Sequence, residues 1–369
     1  MRIEVISICK NTEGGEHLSK RAWDESRGTS DSALESVLRV NAPVNELPSA
    51  VMNITSTILE REVITCLKDH VMWSTSSRVD DVTQFNLSAF VSDEGDQWAE
   101  DQREKMRVAK RTGMDQDDFR LHLPILSVTS YMVRLSLRSM VMLRQQFLMM
   151  AEGVCGYEPV ASLQKIFYDA SKQLEKVIEE FASFELSYPH TDIIGTPPFV
   201  VNQVVSTARV GSFIVFKGLV PFSLRTHMIR HRMLDIRDEL RDIINGEHVE
   251  KFCIGNPMHV CVSGSRDAWV GIAGKRTCWL AHEGMWRTVL DPVMSYGGID
   301  MEDVLPCKDG HCPYEEDIRM RREGRDPNPP CPRHARLQNY ELTENQLARV
   351  RAQIESGEKG VQWKRYTGK

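Results

Sequence analysis

Apolar and polar residues alternate through residues 1–8, MRIEVISI, with the period of a β-strand. A polar loop follows, and residues 29–40 carry a helical pattern before Pro43 and Pro48 interrupt the chain. Residues 50–71 mix β-branched and helical patterning, and residues 73–77, WSTSS, read as a turn. Residues 92–118 are dense in charge and predict an exposed helix and loop. In the apolar segment 122–153, Arg134 and Arg138 stand four apart and share a face if that region is helical. A buried arginine there needs a carboxylate or a bound anion. An amphipathic helix is expected over residues 161–186, ending before Pro189, with a linker at 195–198. A β-rich run, SFIVFKGLV, then feeds into residues 218–246.

That last stretch, GLVPFSLRTHMIRHRMLDIRDELRDIING, has Pro221 suited to a first helical turn and Asn245-Gly246 suited to a stop. A helix of about six turns is expected, with His227, Arg230, His231, Leu234, Arg237, Asp238 and Arg241 on one face. Clustered guanidinium groups repel one another unless they meet an anion, and their planar fork suits phosphate. Two readings stay open: a phosphate-bearing ligand, or a solvated face laced with Asp235, Asp238 and Glu239.

Further along, Arg266, Lys275 and Arg276 form a second basic group. From Gly298 the composition turns to prolines and charges around Cys307, Cys312, Cys331 and His334, four zinc-type ligands with His311 as a spare. A metal would close this loop and offset its small core; ordinary reduced cysteines are the competing reading. Cys9, Cys66, Cys155, Cys253, Cys261 and Cys278 are expected in the core rather than as nucleophiles. Thr343 with Gln346 suits a capping box for a last helix.

Composition narrows the function classes. A chain of 369 residues with 41% hydrophobic and 27% charged residues has room for two ordinary globular domains. A net charge of −6 argues against a binder of duplex nucleic acid, although a local basic patch can still take a small anion. No leader-like segment opens the sequence, the most apolar run (139–151) is broken by Arg144, and nine scattered cysteines suit reduced thiols, so a cytoplasmic protein without a membrane span is expected. Hydrolase triads, phosphate loops, HExxH helices and dinucleotide fingerprints are not apparent.

The order FIVFKGLVPFSLRTHMIRHR resembles the signature region of the flavin-dependent thymidylate synthases, where a strand and glycine lead to a helix bearing Gln or His, then Arg-His-Arg. Here these are His227 and Arg230-His231-Arg232. The family motif continues with Ser, Asn-Glu, Ser and Arg-Tyr; this chain has Asp235 at the first serine position and Arg237-Asp238 at Asn-Glu. The family's later portion is resembled twice, by Leu123-Pro124 through Ser136-Leu137-Arg138-Ser139 and by Ser265-Arg266 through Arg276 and Ala281-His282. Upstream of the first, residues 69–74 resemble Arg-His-Arg-x-x-Ser, keeping His70 and Ser74.

The resemblance implies a mixed α/β (α+β), helix-rich fold with two thymidylate-synthase-like repeats, residues 1–200 and 201–300, each a small sheet packed with long helices, and a C-terminal extension over 301–369. It implies FAD held by His227, Arg230, His231 and Arg232, and nucleotide held by Arg138, Arg266, Arg276 and Ser74. The implied reaction moves a one-carbon unit from methylenetetrahydrofolate to C5 of deoxyuridylate or a related pyrimidine nucleotide, with NADPH as reductant and no protein nucleophile. A homo-oligomer, a dimer of duplicated chains, is the implied assembly. The altered motif leaves two alternatives: hydroxymethylation without reduction, or a nucleotide-binding or assembly protein without catalysis.

Overall fold

A computed structural model describes residues 1–9, 48–67, 70–74, 82–84, 86, 93–113, 119–182, 186, 188, 192–195, 205–210, 213–229, 231, 234–276, 283–300 and 304. It divides into two compact units, Met1–Pro198 with Arg237–Asn256, and Phe199–Ile236 with Pro257–Lys369. The fold is mixed α/β, with two small antiparallel sheets and helices.

In the first unit, β1 (Arg2–Cys9), β2 (Ser49–Thr57), β3 (Val71–Ser74) and β4 (Val128–Ser136) form one antiparallel sheet in the order β1-β2-β4-β3. Its buried face follows from alternation: Ala50, Met52 and Ile54 on β2 lie opposite Leu135, Val133 and Tyr131 on β4, all buried. Between β2 and β3 runs α1 (Ile58–Thr65), begun by a capping box in which the Thr57 side chain accepts from the Glu60 amide at 3.1 Å and the Thr57 amide donates to Glu60 Oε2 at 2.7 Å. Helix α2 (Asp93–Arg111) puts carboxylates in its first turn and bases in its last, which complements the helix dipole. After β4, α3 (Leu137–Glu152) and α4 (Ala161–Glu179) pack together, with Phe147 stacked on Phe167 at 5.9 Å between centroids. Arg144 does not expose this pair; it donates to Glu175 Oε1 at 3.1 Å and to the Leu186 carbonyl at 3.4 Å.

The second sheet has the order β5-β6-β8-β7, from β5 (Val205–Val210), β6 (Phe213–Pro221), β7 (Asp235–Asp238) and β8 (Pro257–Ser265). Ile214, Phe216 and Val220 on β6 and Met258, Val260 and Val262 on β8 supply its buried face. Helix α5 (Phe222–Ile229) follows β6, α6 (Leu240–Asn245) follows β7, and α7 (Arg266–Arg276) and α8 (Glu283–Gly297) follow β8. Trp269 on α7 donates its indole N–H to the Ile214 carbonyl at 3.0 Å, and Gly264 lies against the same indole, where a Cβ would sit 3.3 Å from Trp269 Nε1 and 2.7 Å from Leu234 Cδ2.

The two sheets share a numerical register. In the first, Ser49 pairs with Ser136 and Thr57 with Val128; in the second, Phe213 pairs with Ser265 and Pro221 with Pro257. Each β6 residue thus lies 164 positions after its β2 counterpart (213 less 49), and each β8 residue 129 after its β4 counterpart (265 less 136). The spacing of 164 also carries α1 onto α5 and β3 onto β7. The spacing of 129 carries a cap: Ser136 Oγ accepts from the Ser139 amide at 3.1 Å, and Ser265 Oγ from the Ala268 amide at 3.1 Å.

Several sequence expectations need correction. The six-turn helix does not form: α5 stops at Ile229, and residues Asp235–Asp238 become strand β7 beside β8. Leu234 and Ile236 alternate with polar neighbours, and pairing at a sheet edge outweighs local helix preference. The proposed cationic face is therefore not one surface. Arg134 lies on β4, donating to Ser49 Oγ at 3.2 Å, whereas Arg138 lies in the first turn of α3, so they share no helix face. Trp73 and Ser74 are strand rather than turn, α4 ends at Glu179 rather than at 186, and Cys9 and Cys155 are exposed. Residues 29–40, Thr343 and Gln346 lie outside the described residues.

Candidate functional site: a histidine, arginine and tryptophan cluster

In the second unit, just past α5, the His231 amide donates to the Met228 carbonyl at 2.9 Å and the Leu234 amide to the His231 carbonyl at 2.9 Å. This places the His231 ring at the C-terminal end of α7, where Arg276 Nε donates to His231 Nε2 at 2.8 Å. To accept that bond the imidazole must be neutral at Nε2. Burial, then the positive charges of Arg276 and Lys275, push His231 down to about 4, so the neutral form dominates near pH 7.

Helix α8 closes the cluster with Trp286, which is fully buried. Its ring meets His231 edge-on, 5.5 Å between centroids at 88°, and the Arg276 guanidinium carbon lies 5.8 Å from its centroid. Arg276 is thus held by a hydrogen bond at Nε and by the aromatic ring, contacts that fix the plane of its fork. The Trp286 indole N–H is buried and finds no acceptor among the described residues. A buried donor left this way costs about 1–3 kcal/mol unless a bound group accepts from it.

His227 is half-buried in the last turn of α5, and Arg266 opens α7 as an exposed side chain. Arg138 is half-buried on α3 of the first unit, and Ser74 ends β3. Arg230, Arg232, Cys307, Cys312, Cys331 and His334 lie outside the described residues. Among the described residues no group of three or more His, Cys, Asp or Glu side chains could hold a metal ion, and no helix is long and apolar enough to cross a membrane. Arg241 proves to be a structural residue of the first unit: it pairs with Asp192 and lies 4.8 Å over the Tyr157 ring, while Tyr157 Oη donates to Asp192 Oδ1 at 2.7 Å.

Sequence reading missed Trp286. The basic residues drew attention through charge, whereas an indole ten positions beyond Arg276 carries no motif; its signal was helical spacing with the core residues Val289, Leu290 and Val293 of α8.

No family model and no curated protein matches the sequence. Among solved structures, thymidylate synthase X from Helicobacter pylori with FAD and dUMP matches at 14% identity, covering 48% of this chain and 92% of that one, with a TM-score of 0.36. A second structure of the flavin-dependent enzyme from Helicobacter pylori, also complexed with FAD and dUMP, matches at 12% identity over 50% of this chain and 99% of that one, with a TM-score of 0.36.

Proposed function

We propose that this chain is an internally duplicated, flavin-dependent thymidylate-synthase-like enzyme, acting on deoxyuridylate or a related pyrimidine nucleotide with methylenetetrahydrofolate as carbon donor and NADPH as reductant. One observation carries the reading. His231 and Arg276, which the motif resemblance named from two separate segments, meet at 2.8 Å. The shared registers of the two sheets support the duplication.

The donor chemistry at this cluster fits a phosphate-bearing cofactor and nucleotide: a fixed guanidinium, a neutral imidazole, an exposed Lys275 and a buried indole N–H. His231, Arg276 and Trp286 would hold the anionic groups, with Arg230, Arg232 and His227 as further contacts. FAD, when bound, would supply the hydride that completes reduction of the transferred carbon. The chain's own contribution is orientation and charge neutralisation: Arg276 offsets phosphate charge, and His231 sets the guanidinium plane without adding a second charge of its own.

A second reading, binding without catalysis, is favoured by Asp235. Its carboxylate is exposed at the place where the family motif carries a serine, and it brings negative charge toward an anionic substrate. The deciding experiment incubates purified protein with FAD, measures bound flavin after desalting, and follows conversion of deoxyuridylate by chromatography with methylenetetrahydrofolate and NADPH. Bound flavin with a methylated product supports the enzyme. A hydroxymethylated product redirects it to the unreduced transfer, and a colourless protein that takes up no added FAD defeats the flavin enzyme and supports the binding or assembly protein.

A further inference from the structure

We infer that each chain carries one anion-holding cluster, in the second unit, and that the corresponding positions of the first unit have been rebuilt as apolar core. The inference rests on the duplicated reading above, which supplies the correspondence between units. With the spacing of 129 fixed by β4, β8 and their helix caps, Arg276 corresponds to Phe147 and Lys275 to Gln146. With the spacing of 164 fixed by β2, α1 and β3, His231 corresponds to Leu67.

The replacements are coupled. Phe147 is fully buried and stacked on Phe167, and Leu67 is 4% exposed, so the cation and its hydrogen-bond acceptor have both given way to hydrocarbon. Gln146 is fully buried and accepts from the Ile193 amide at 3.0 Å, a structural bond inside the first unit. An anion brought to Phe147 would lose its hydration with no cation in return, which is prohibitive in an apolar interior. Recovery by one substitution is blocked as well, because an arginine at 147 would be buried among packed rings without Leu67 able to accept from it.

The two units have therefore divided the work. The first supplies a rigid, close-packed scaffold, while the second keeps the charged pair and the buried indole N–H that a phosphate-bearing ligand can satisfy. His231 and Trp286 act as positioning residues for the Arg276 guanidinium. A duplicated chain of this kind binds one equivalent of ligand where its symmetry alone would allow two.

The test is equilibrium dialysis of the full chain with FAD and, separately, with deoxyuridine monophosphate as probes. One equivalent per chain is expected for the wild type. Arg276→Ala and His231→Leu should weaken binding at least tenfold, Arg276→Lys should recover it only in part, and His231→Gln, whose amide oxygen can accept from Arg276 Nε, should restore most of it. Phe147→Leu should leave the stoichiometry at one. Two equivalents per chain, or full binding retained by Arg276→Ala, overturns the inference while leaving the flavin reading intact. A folded wild-type protein that binds neither probe overturns the flavin reading first and this inference with it.

Discussion

Pro124 bridges Cys253 in an isolated antiparallel pair, and the two residues are separated by the same 129 positions that relate β4 to β8. The flanking bonds repeat the relation: the Ile125 amide donates to the Phe252 carbonyl at 2.9 Å and the Ile254 amide to the Leu123 carbonyl at 2.9 Å. The two loops therefore meet at positions that keep the strand spacing. Gly255 makes the approach possible, since a Cβ there would lie 2.7 Å from both the carbonyl oxygen and Cβ of Leu121. Gly255→Ala should destabilise the first unit by about 1–3 kcal/mol, read as a lowered denaturation midpoint. An unchanged midpoint would mean the loops separate without cost.

Helix α1 depends on its cap. Thr57 and Glu60 bond reciprocally and both are buried, so water cannot replace the lost partner. Thr57→Ala should cost about 1–2 kcal/mol in chemical denaturation, and Thr57→Ser should recover most of it.

If the proposed duplication holds, Phe147 and Arg276 occupy corresponding places, yet they should fail differently. Phe147→Ala removes a fully buried stacked ring and should cost about 3–5 kcal/mol of stability. Arg276→Ala should lower stability much less and ligand retention much more. Parallel melting curves and flavin-binding titrations separate the two, and similar profiles would count against a divided role.

His231 gives stability a pH dependence whose sign follows from its lowered value of about 4 against an ordinary 6.5. The unfolded imidazole takes up a proton more readily than the folded one, so its contribution is complete above pH 6.5 and is lost as pH falls toward 4. Wild-type protein should lose more stability than His231→Gln between pH 7 and pH 4.5. Equal losses would show that burial and the neighbouring Arg276 do not hold the ring neutral.

Much of the sheet structure was legible because alternation is a local property. The strand at residues 1–8 and the run around Phe213–Val220 are visible in the residues themselves. The break after Ile229 was not, because residues 230–245 carry helical charge spacing and become strand at 235–238 only through pairing in the second sheet. The site was half legible. His231 and Arg276 announced themselves by motif, but their contact spans 45 positions and Trp286 reads as ordinary core. Arg241 misled for the opposite reason, since the carboxylate that neutralises it, Asp192, lies far back in the chain.

The pairing of the 121–127 loop with the 252–255 loop also bears on how the chain comes together. Strands β5 and β6 pair Val210 with Phe213, near neighbours in sequence, whereas this bridge joins points more than a hundred residues apart and gains nothing until both arrive. It should consequently form late in folding. A nascent chain that has not yet emerged past Phe252 presents the Leu123 carbonyl and Ile125 amide to solvent. During synthesis that short exposed edge is where a chaperone, or a wrong neighbour, would find purchase.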